Sequence, residues 1–201
     1  MWAVVLLRGL YLKPTKKNVP FFALRSVLVV ERSSYNIALL ILLNFIMAAA
    51  ANDPGHVLKG SKKILLIDWP NVDVPRALLQ AGFTVFCYSP NGYTQAEQAA
   101  EFPQNVNPKN IFPPKTRNDG YLVFRPLTAA PAAVDIVNVY RPEAEHAKIM
   151  TDVVLPLKAK CVWLQPPLTS DDTRVIAESQ GLIFIQGSDI ATIAVQLNSQ
   201  G

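Results

Sequence analysis

The sequence predicts an α/β fold, doubly wound around a mostly parallel five-stranded sheet with helices on both faces. Three observations carry the prediction. Short continuous apolar runs recur, as KILLID at residues 63–68 and CVWLQ at 161–165, the form taken by strands buried on both faces of a parallel sheet. Stretches with apolar residues at helical spacing lie between these runs. The connection between the first two strands is short, which favours a right-handed parallel crossover.

Taken in order, Lys63–Asp68 is the first strand. Val74–Ala81 (VPRALLQA) follows as a helix, with Asp73 as N-cap, Pro75 just inside it and Gly82 where a C-cap sits. Phe83–Tyr88 (FTVFCY) completes a βαβ unit. Residues 90–133 lose this pattern: Pro103, Pro108, Pro113 and Pro114 stand among Asn, Gln and Gly, which reads as an irregular insertion, with Tyr121–Arg125 adding a short strand or half a hairpin. Val134–Tyr140 (VDIVNVY) is the next strand. A helix over Glu143–Lys158 presents Ala144, Ala147, Ile149, Met150, Val153, Val154 and Leu157, and Pro156 closes it. Cys161–Gln165 is a strand, Ser170–Gln180 a helix opened by Thr169 or Ser170 and ended by Gly181, Leu182–Gln186 the last strand, and Asp189–Asn198 a helix capped by Ser188 or Asp189. The arrangement is Rossmann-like.

With 201 residues, half of them apolar, the chain has room for one ordinary domain and an extension, and it is not a disordered protein. The formal charge of +4 is unevenly placed. Arg8, Lys13, Lys16, Lys17, Arg25 and Arg32 face Glu31 alone in residues 1–46, so the remainder is one unit negative and offers no basic face for nucleic acid. Cys87 and Cys161 sit far apart in apolar runs and read as reduced, buried thiols. Neither they nor His56 and His146 have metal-ligand spacing.

Residues 1–58 read as a non-globular leader and 59–201 as the domain. The apolar run Ile37–Met47, leading into Ala48–Ala51, is shorter than a membrane span and contains Asn44. It suits a signal segment with an A-x-A site, an organelle transit peptide, or a segment upstream of a true start at Met47. The protein is cytoplasmic on the last reading and organellar or membrane-associated on the others, with membrane contact only if residues 37–51 are retained.

Ligands of open α/β sheets sit beyond the carboxyl ends of the strands. That singles out Asp68, Trp69, Pro70 and Asn71; Ser89, Pro90 and Asn91; Tyr140, Arg141 and Pro142; and Gln165 with the prolines after it. Ordinary turn chemistry explains such residues equally well. Arg141 is the sharpest of them: it follows a buried strand and offers a planar fork to a phosphate or carboxylate, or else pairs with Glu143 or Glu145.

Several blocks together resemble the small bacterial and plant coenzyme A-binding domain proteins, relatives of the nucleotide-binding domain of succinyl-CoA synthetase. Val134–Pro142 (VDIVNVYRP) is similar to their VD-x-V-x-V-F/Y-R strand. Ala159–Gln165 (AKCVWLQ) resembles AK-x-x-W-x-Q, and Ala177–Leu182 resembles A-x-x-x-GL. Tyr88–Asn91 occupies the place of a V-x-P turn. The resemblance implies coenzyme A, or a related nucleotide, as a ligand bound without chemistry. One departure is plain: the small Gly-containing loop after the family's first strand is replaced by DWPNVDVP at 68–75, where an anion meets Asp68 and Asp73 instead of a nest of amides.

Two functions therefore compete. One is a coenzyme A or nucleotide binding module. The other is a degenerate Rossmann domain serving as a protein-interaction or structural module, which the altered loop and the Pro-rich insertion favour. A receiver-like phosphoacceptor needs an Asp at the end of its third strand, and Asn138-Val139-Tyr140 supplies none. The sequence shows no G-x-S-x-G elbow, Cys–His pair or carboxylate dyad, which argues against an enzyme, and Asp68 reads as a base or as a turn residue. A near-neutral, apolar-rich domain is compatible with a homodimer.

Overall fold

The computed structural model describes Leu39 and residues 52–116 and 119–199. The apolar segment 37–51 and the candidate start at Met47 lie outside the described residues, Leu39 apart. Among the described residues no helix is long and apolar enough to cross a membrane.

The first described element, α1 (Pro54–Lys59), lies inside the stretch that the sequence assigns to the leader. Asp53 caps it by accepting the His56 N–H at 2.8 Å, and it buries Val57 and Leu58. Val57 and Leu58 join one core of the sheet, so this turn packs with the elements that follow it. The other elements are β1 (Lys63–Ile67), α2 (Asp73–Gln80), β2 (Thr84–Ser89), β3 (Gly92–Ala99), β4 (Ile111–Phe112), β5 (Tyr121–Pro126), β6 (Ile136–Val139), α3 (His146–Ile149), β7 (Cys161–Leu164), α4 (Asp171–Ser179), β8 (Ile183–Ile185) and α5 (Ile190–Asn198).

Among the described residues the sheet has eight strands rather than five, in the order β4-β5-β3-β2-β1-β6-β7-β8. Strands β2, β1, β6, β7 and β8 are parallel neighbours, with Ile67 of β1 opposite Tyr88 on one side and Val139 on the other. The three additional strands are β3, β4 and β5, all antiparallel and all from the segment read as irregular or half a hairpin. β3 escapes an apolar pattern because only Ala96 of its eight residues is buried. Its start carries a signal nonetheless: Asn91-Gly92 closes a hairpin in which Ser89 pairs with Gly92, and Gly92 takes φ +104°, a left-handed conformation suited to glycine.

Both faces are covered. One core joins Ile64, Leu66, Ile136 and Trp163 to Val57, Leu58, Val74, Leu78, Ile190 and Ala194 of α1, α2 and α5. The other joins Leu65, Ile67, Val137, Val139 and Val162 to Ile149, Met150, Val153, Val154 and Ala177. The predicted helix over Glu143–Lys158 is a composite: a 3₁₀ turn (Glu143–Glu145), α3, and a wider π turn (Met150–Val154). Ala144 and Ala147 are exposed rather than on the buried face. Helix α2 begins at Asp73 itself, so that residue is not its N-cap; Val72 is, without a side-chain bond. Ser170 and Asp189 cap α4 and α5 by accepting the Thr173 and Thr192 N–H groups.

Candidate functional site

Strand order reverses at β1, with β2 on one side and β6 on the other, so the chain segments leaving these three strands diverge and open a crevice. The crevice is a cleft of about 270 Å³, bounded by Asp68 after β1, Tyr88, Ser89 and Pro90 at the end of β2, Arg141 after β6, and Glu145, Lys148, Ile149, Asp152 and Val153 from the helical segment beyond.

Its centre is an ion-pair triad. The Arg141 guanidinium donates through Nε and Nη2 to the two carboxylate oxygens of Glu145, at 2.9 and 2.7 Å, and through Nη1 to Asp68 Oδ2 at 2.8 Å. The first contact joins residues four apart and is a bidentate fork. The second joins residues 73 apart and exists because β1 and β6 run in parallel register. Glu145, then Asp68, hold the guanidinium charged still more firmly than usual. Side chains of the triad are partly exposed, 36% for Arg141, 34% for Asp68 and 42% for Glu145. Asp68 has φ 56°, a left-handed conformation that Asp and Asn tolerate better than most residues. Its neighbour Ile67 accepts the Tyr140 N–H at 3.0 Å, so the two strand ends deliver Asp68 and Arg141 side by side.

At the rim, Lys148 and Asp152 pair at 2.7 Å. Contact with Asp152 raises the lysine's pKa, and the reverse contact lowers that of the aspartate. Tyr88 stacks at a tilt on Tyr93, with ring centres 4.7 Å apart, and forms an aromatic wall.

A buried polar chain fixes the loop that carries Arg141. His146 Nε2 lies 2.8 Å from the Arg141 carbonyl, which only accepts, so Nε2 carries a proton. His146 Nδ1 lies 2.9 Å from Thr173 Oγ1, and the Thr173 N–H bonds Ser170 Oγ at 3.1 Å. This role of His146 has no local signature, because its partner Thr173 lies 27 residues away on another helix.

Asp68, Ser89, Pro90 and Arg141 therefore meet in one cleft, while the other residues singled out lie elsewhere. Trp69 turns to the opposite face and stacks on Phe124, centroids 5.3 Å apart. Pro70 and Asn71 border a separate groove between α2 and α5. Asn91 is exposed at the hairpin tip, its N–H 3.3 Å from Ser89 Oγ. Tyr140 and Pro142 flank Arg141, half-buried and exposed respectively. Gln165 is buried beneath α5, where its Oε1 accepts from Asn138 Nδ2 at 3.2 Å and its amide donates to Asp189. Residues of the cleft that were not singled out, Tyr88, Lys148 and Asp152, become legible only once the helical segment is placed beside β2. Among the described residues no group of three or more His, Cys, Asp or Glu side chains is placed to hold a metal ion.

Fold and cleft together define a Rossmann-like α/β domain with a cleft at the point where strand order reverses. The chain belongs to the CoA binding domain family, whose model matches residues 68–192. Among solved structures it is similar to Prb, a protein redesigned for binding, at 20% identity and a TM-score of 0.50, over 72% of this chain and 89% of that one. It is also similar to cell-free ID.343 from Thermus thermophilus, at 20% identity and TM-score 0.45, over 71% and 94% of the two chains. A hypothetical protein from Pyrococcus horikoshii OT3 matches at 20% identity and TM-score 0.43, over 72% and 89%. The likeness to Prb is one of fold. No curated protein matches the chain.

The fork of Arg141 can be tested against the phosphates of coenzyme A. Carboxylate oxygens of Asp68 and Glu145 already hold the geometry that phosphate oxygens would take, since a planar guanidinium meets either anion through paired N–H groups. The donor set fits a phosphate on condition that a carboxylate gives way.

Proposed function

We propose that the protein is a non-catalytic binding domain that takes coenzyme A or a related nucleotide in the cleft where β1, β2 and β6 end. The observation that carries this reading is the position of Arg141, a guanidinium at the point where strand order reverses, on a loop pinned from behind by His146. Membership of the CoA binding domain family supports the choice of ligand. Arg141 would meet a phosphate, Ser89 would offer its hydroxyl, and Tyr88 and Pro90 would form an apolar wall against the uncharged part of the ligand.

A second reading has an observation of its own. Both cations of the cleft already have acidic partners, Arg141 with Asp68 and Glu145, and Lys148 with Asp152. That pattern favours a domain that has kept the fold and serves as a protein-interaction module.

Calorimetric titration of the full-length chain with coenzyme A, acetyl-CoA and NAD, beside Arg141→Ala, separates the two. Micromolar binding that the variant loses supports the nucleotide reading. Absence of heat with all three ligands, from a well-folded sample, removes it and leaves the interaction module.

A further inference from the structure

We infer that Asp68 is the residue that sets the selectivity of the cleft against phosphorylated ligands: its carboxylate occupies the Arg141 donor that a ligand phosphate would use, so phosphate binding is the exchange of one anion for another. The choice of coenzyme A as one probe rests on the function proposed above; the role of Asp68 does not.

The two carboxylates on Arg141 are not equivalent. Glu145 belongs to the same helical segment, four residues on, and holds both Nε and Nη2 in a bidentate pair. Asp68 comes from another strand and holds Nη1 by one bond. A single bond from a one-third-exposed carboxylate is the contact that an entering anion displaces, because water reaches it and the bidentate pair can stay in place.

Charge points the same way. The ionisable groups lining the cleft are Asp68, Glu145 and Asp152 against Arg141 and Lys148, one unit negative in sum. A pyrophosphate approaching Arg141 therefore meets the Asp68 charge at the same guanidinium edge, and like charges set together across a binding contact oppose it. The backbone keeps Asp68 there: Ile67 is tied to Tyr140, and the left-handed conformation at Asp68 is held without a glycine. Asparagine tolerates that conformation too, so Asp68→Asn removes the charge and keeps the turn.

The test is binding of inorganic pyrophosphate and of coenzyme A to four full-length proteins: the parent, Asp68→Asn, Arg141→Gln and the double variant. Asp68→Asn is expected to tighten pyrophosphate binding by about five- to tenfold, within the ordinary range of coupling between two sites. In the Arg141→Gln background the same substitution is expected to produce no gain. As a second readout, the Arg141 Nε–H signal in nitrogen-15 NMR should shift at lower pyrophosphate concentrations in Asp68→Asn than in the parent, which does not depend on the Arg141 variants folding well.

A gain of equal size without Arg141 would mean simple charge removal and would overturn the inference. So would an unchanged affinity and an unmoved Arg141 signal in Asp68→Asn, whether or not the parent binds coenzyme A. Failure of the ligand assignment looks different: pyrophosphate binding improves in Asp68→Asn while coenzyme A binds neither protein more tightly than pyrophosphate does.

Discussion

Arg76 Nη1, on α2, donates to the Gly120 carbonyl at 2.8 Å, and Nη2 donates to the Pro113 carbonyl at 3.0 Å. The residue is 5% exposed, and its two terminal nitrogens bond main-chain oxygens of the Pro-rich segment leading into β5, while its buried Nε has no partner among the described residues. A buried guanidinium bonded to carbonyls clamps that segment onto α2, and Arg76→Met removes the donors while keeping most of the apolar stem. Hydrogen bonds to charged groups contribute roughly 1.5–3 kcal/mol each where they cannot be replaced by water. Arg76→Met is therefore expected to lower unfolding free energy by about 2 kcal/mol in urea titrations. An unchanged midpoint would mean that the clamp is dispensable.

Gly120 provides a separate check on the same junction. A Cβ built there meets the Ala99 carbonyl oxygen at 2.6 Å and Gln98 Cγ at 2.9 Å. The oxygen belongs to β3, which pairs with β5 through Ala99 and Tyr121, so the backbone has little freedom to yield. Gly120→Ala is expected to cost about 1–3 kcal/mol by overpacking. Equal stability of the alanine variant, measured by the same titration, would contradict this close approach.

Trp163 has no exposed surface and lies at the centre of the core beneath α5, with Nε1 donating to the Ser188 carbonyl at 2.7 Å. Truncation to alanine should cost about 3–5 kcal/mol. Phenylalanine keeps much of the ring but strands the Ser188 carbonyl, so Trp163→Phe should fall between alanine and the parent, losing about 1–3 kcal/mol. Denaturation midpoints in the order parent, Phe, Ala test both contributions; a Phe variant as weak as the Ala one would assign the loss to the hydrogen bond alone.

How far the sequence predicts this molecule follows from how each part is stabilised. Strands β1, β6 and β7 are buried almost end to end, so their residues had to be apolar and the runs stand out. β3 lies towards the antiparallel side of the sheet, and Thr94, Gln95, Glu97 and Gln98 satisfy its needs without any apolar period. The Arg141–Glu145 pair could be read from its spacing, and Glu145 was one of the two partners the sequence offered. The Asp68–Arg141 pair could not, since it depends on the parallel register of β1 and β6 rather than on anything local. Gln165 looks like a strand-end ligand in sequence, but its side chain turns under α5 to Asn138 and Asp189.

The two cysteines should be chemically silent in the native protein. Burial raises the Cys161 thiol to about 12. Burial pushes Cys87 higher still, against a smaller opposing contribution from a hydrogen bond with Thr94. Because the thiolate is the reactive form, a disulfide reagent at mildly alkaline pH should modify neither thiol in the folded protein and both after denaturation. Rapid native labelling at either position would show that the sheet opens at β2 or β7.

Asp135 ties together the starts of three parallel strands, and this makes stability depend on acid. Its Oδ2 accepts the N–H groups of Lys62 and Lys63 at 2.9 and 3.0 Å, at the entrance to β1, and its Oδ1 accepts Lys160 Nζ at 2.8 Å, ahead of β7. Its own residue immediately precedes β6. Burial alone would raise the carboxyl's pKa, but the bonds from Lys160, Lys62 and Lys63 together bring it below the ordinary 3.8. A carboxylate whose pKa is depressed by folding contributes stability that is fully present above its unfolded pKa and lost as pH falls through the lower folded value. The window for Asp135 therefore lies below about pH 4. Asp135→Asn, which keeps an acceptor but no charge, should be less stable than the parent at neutral pH and should converge with it as the medium becomes more acid. Urea titrations of both proteins at a series of pH values measure that convergence. Two curves that stay parallel through the acid range would show that the charge on Asp135 contributes nothing to the joint between β1, β6 and β7.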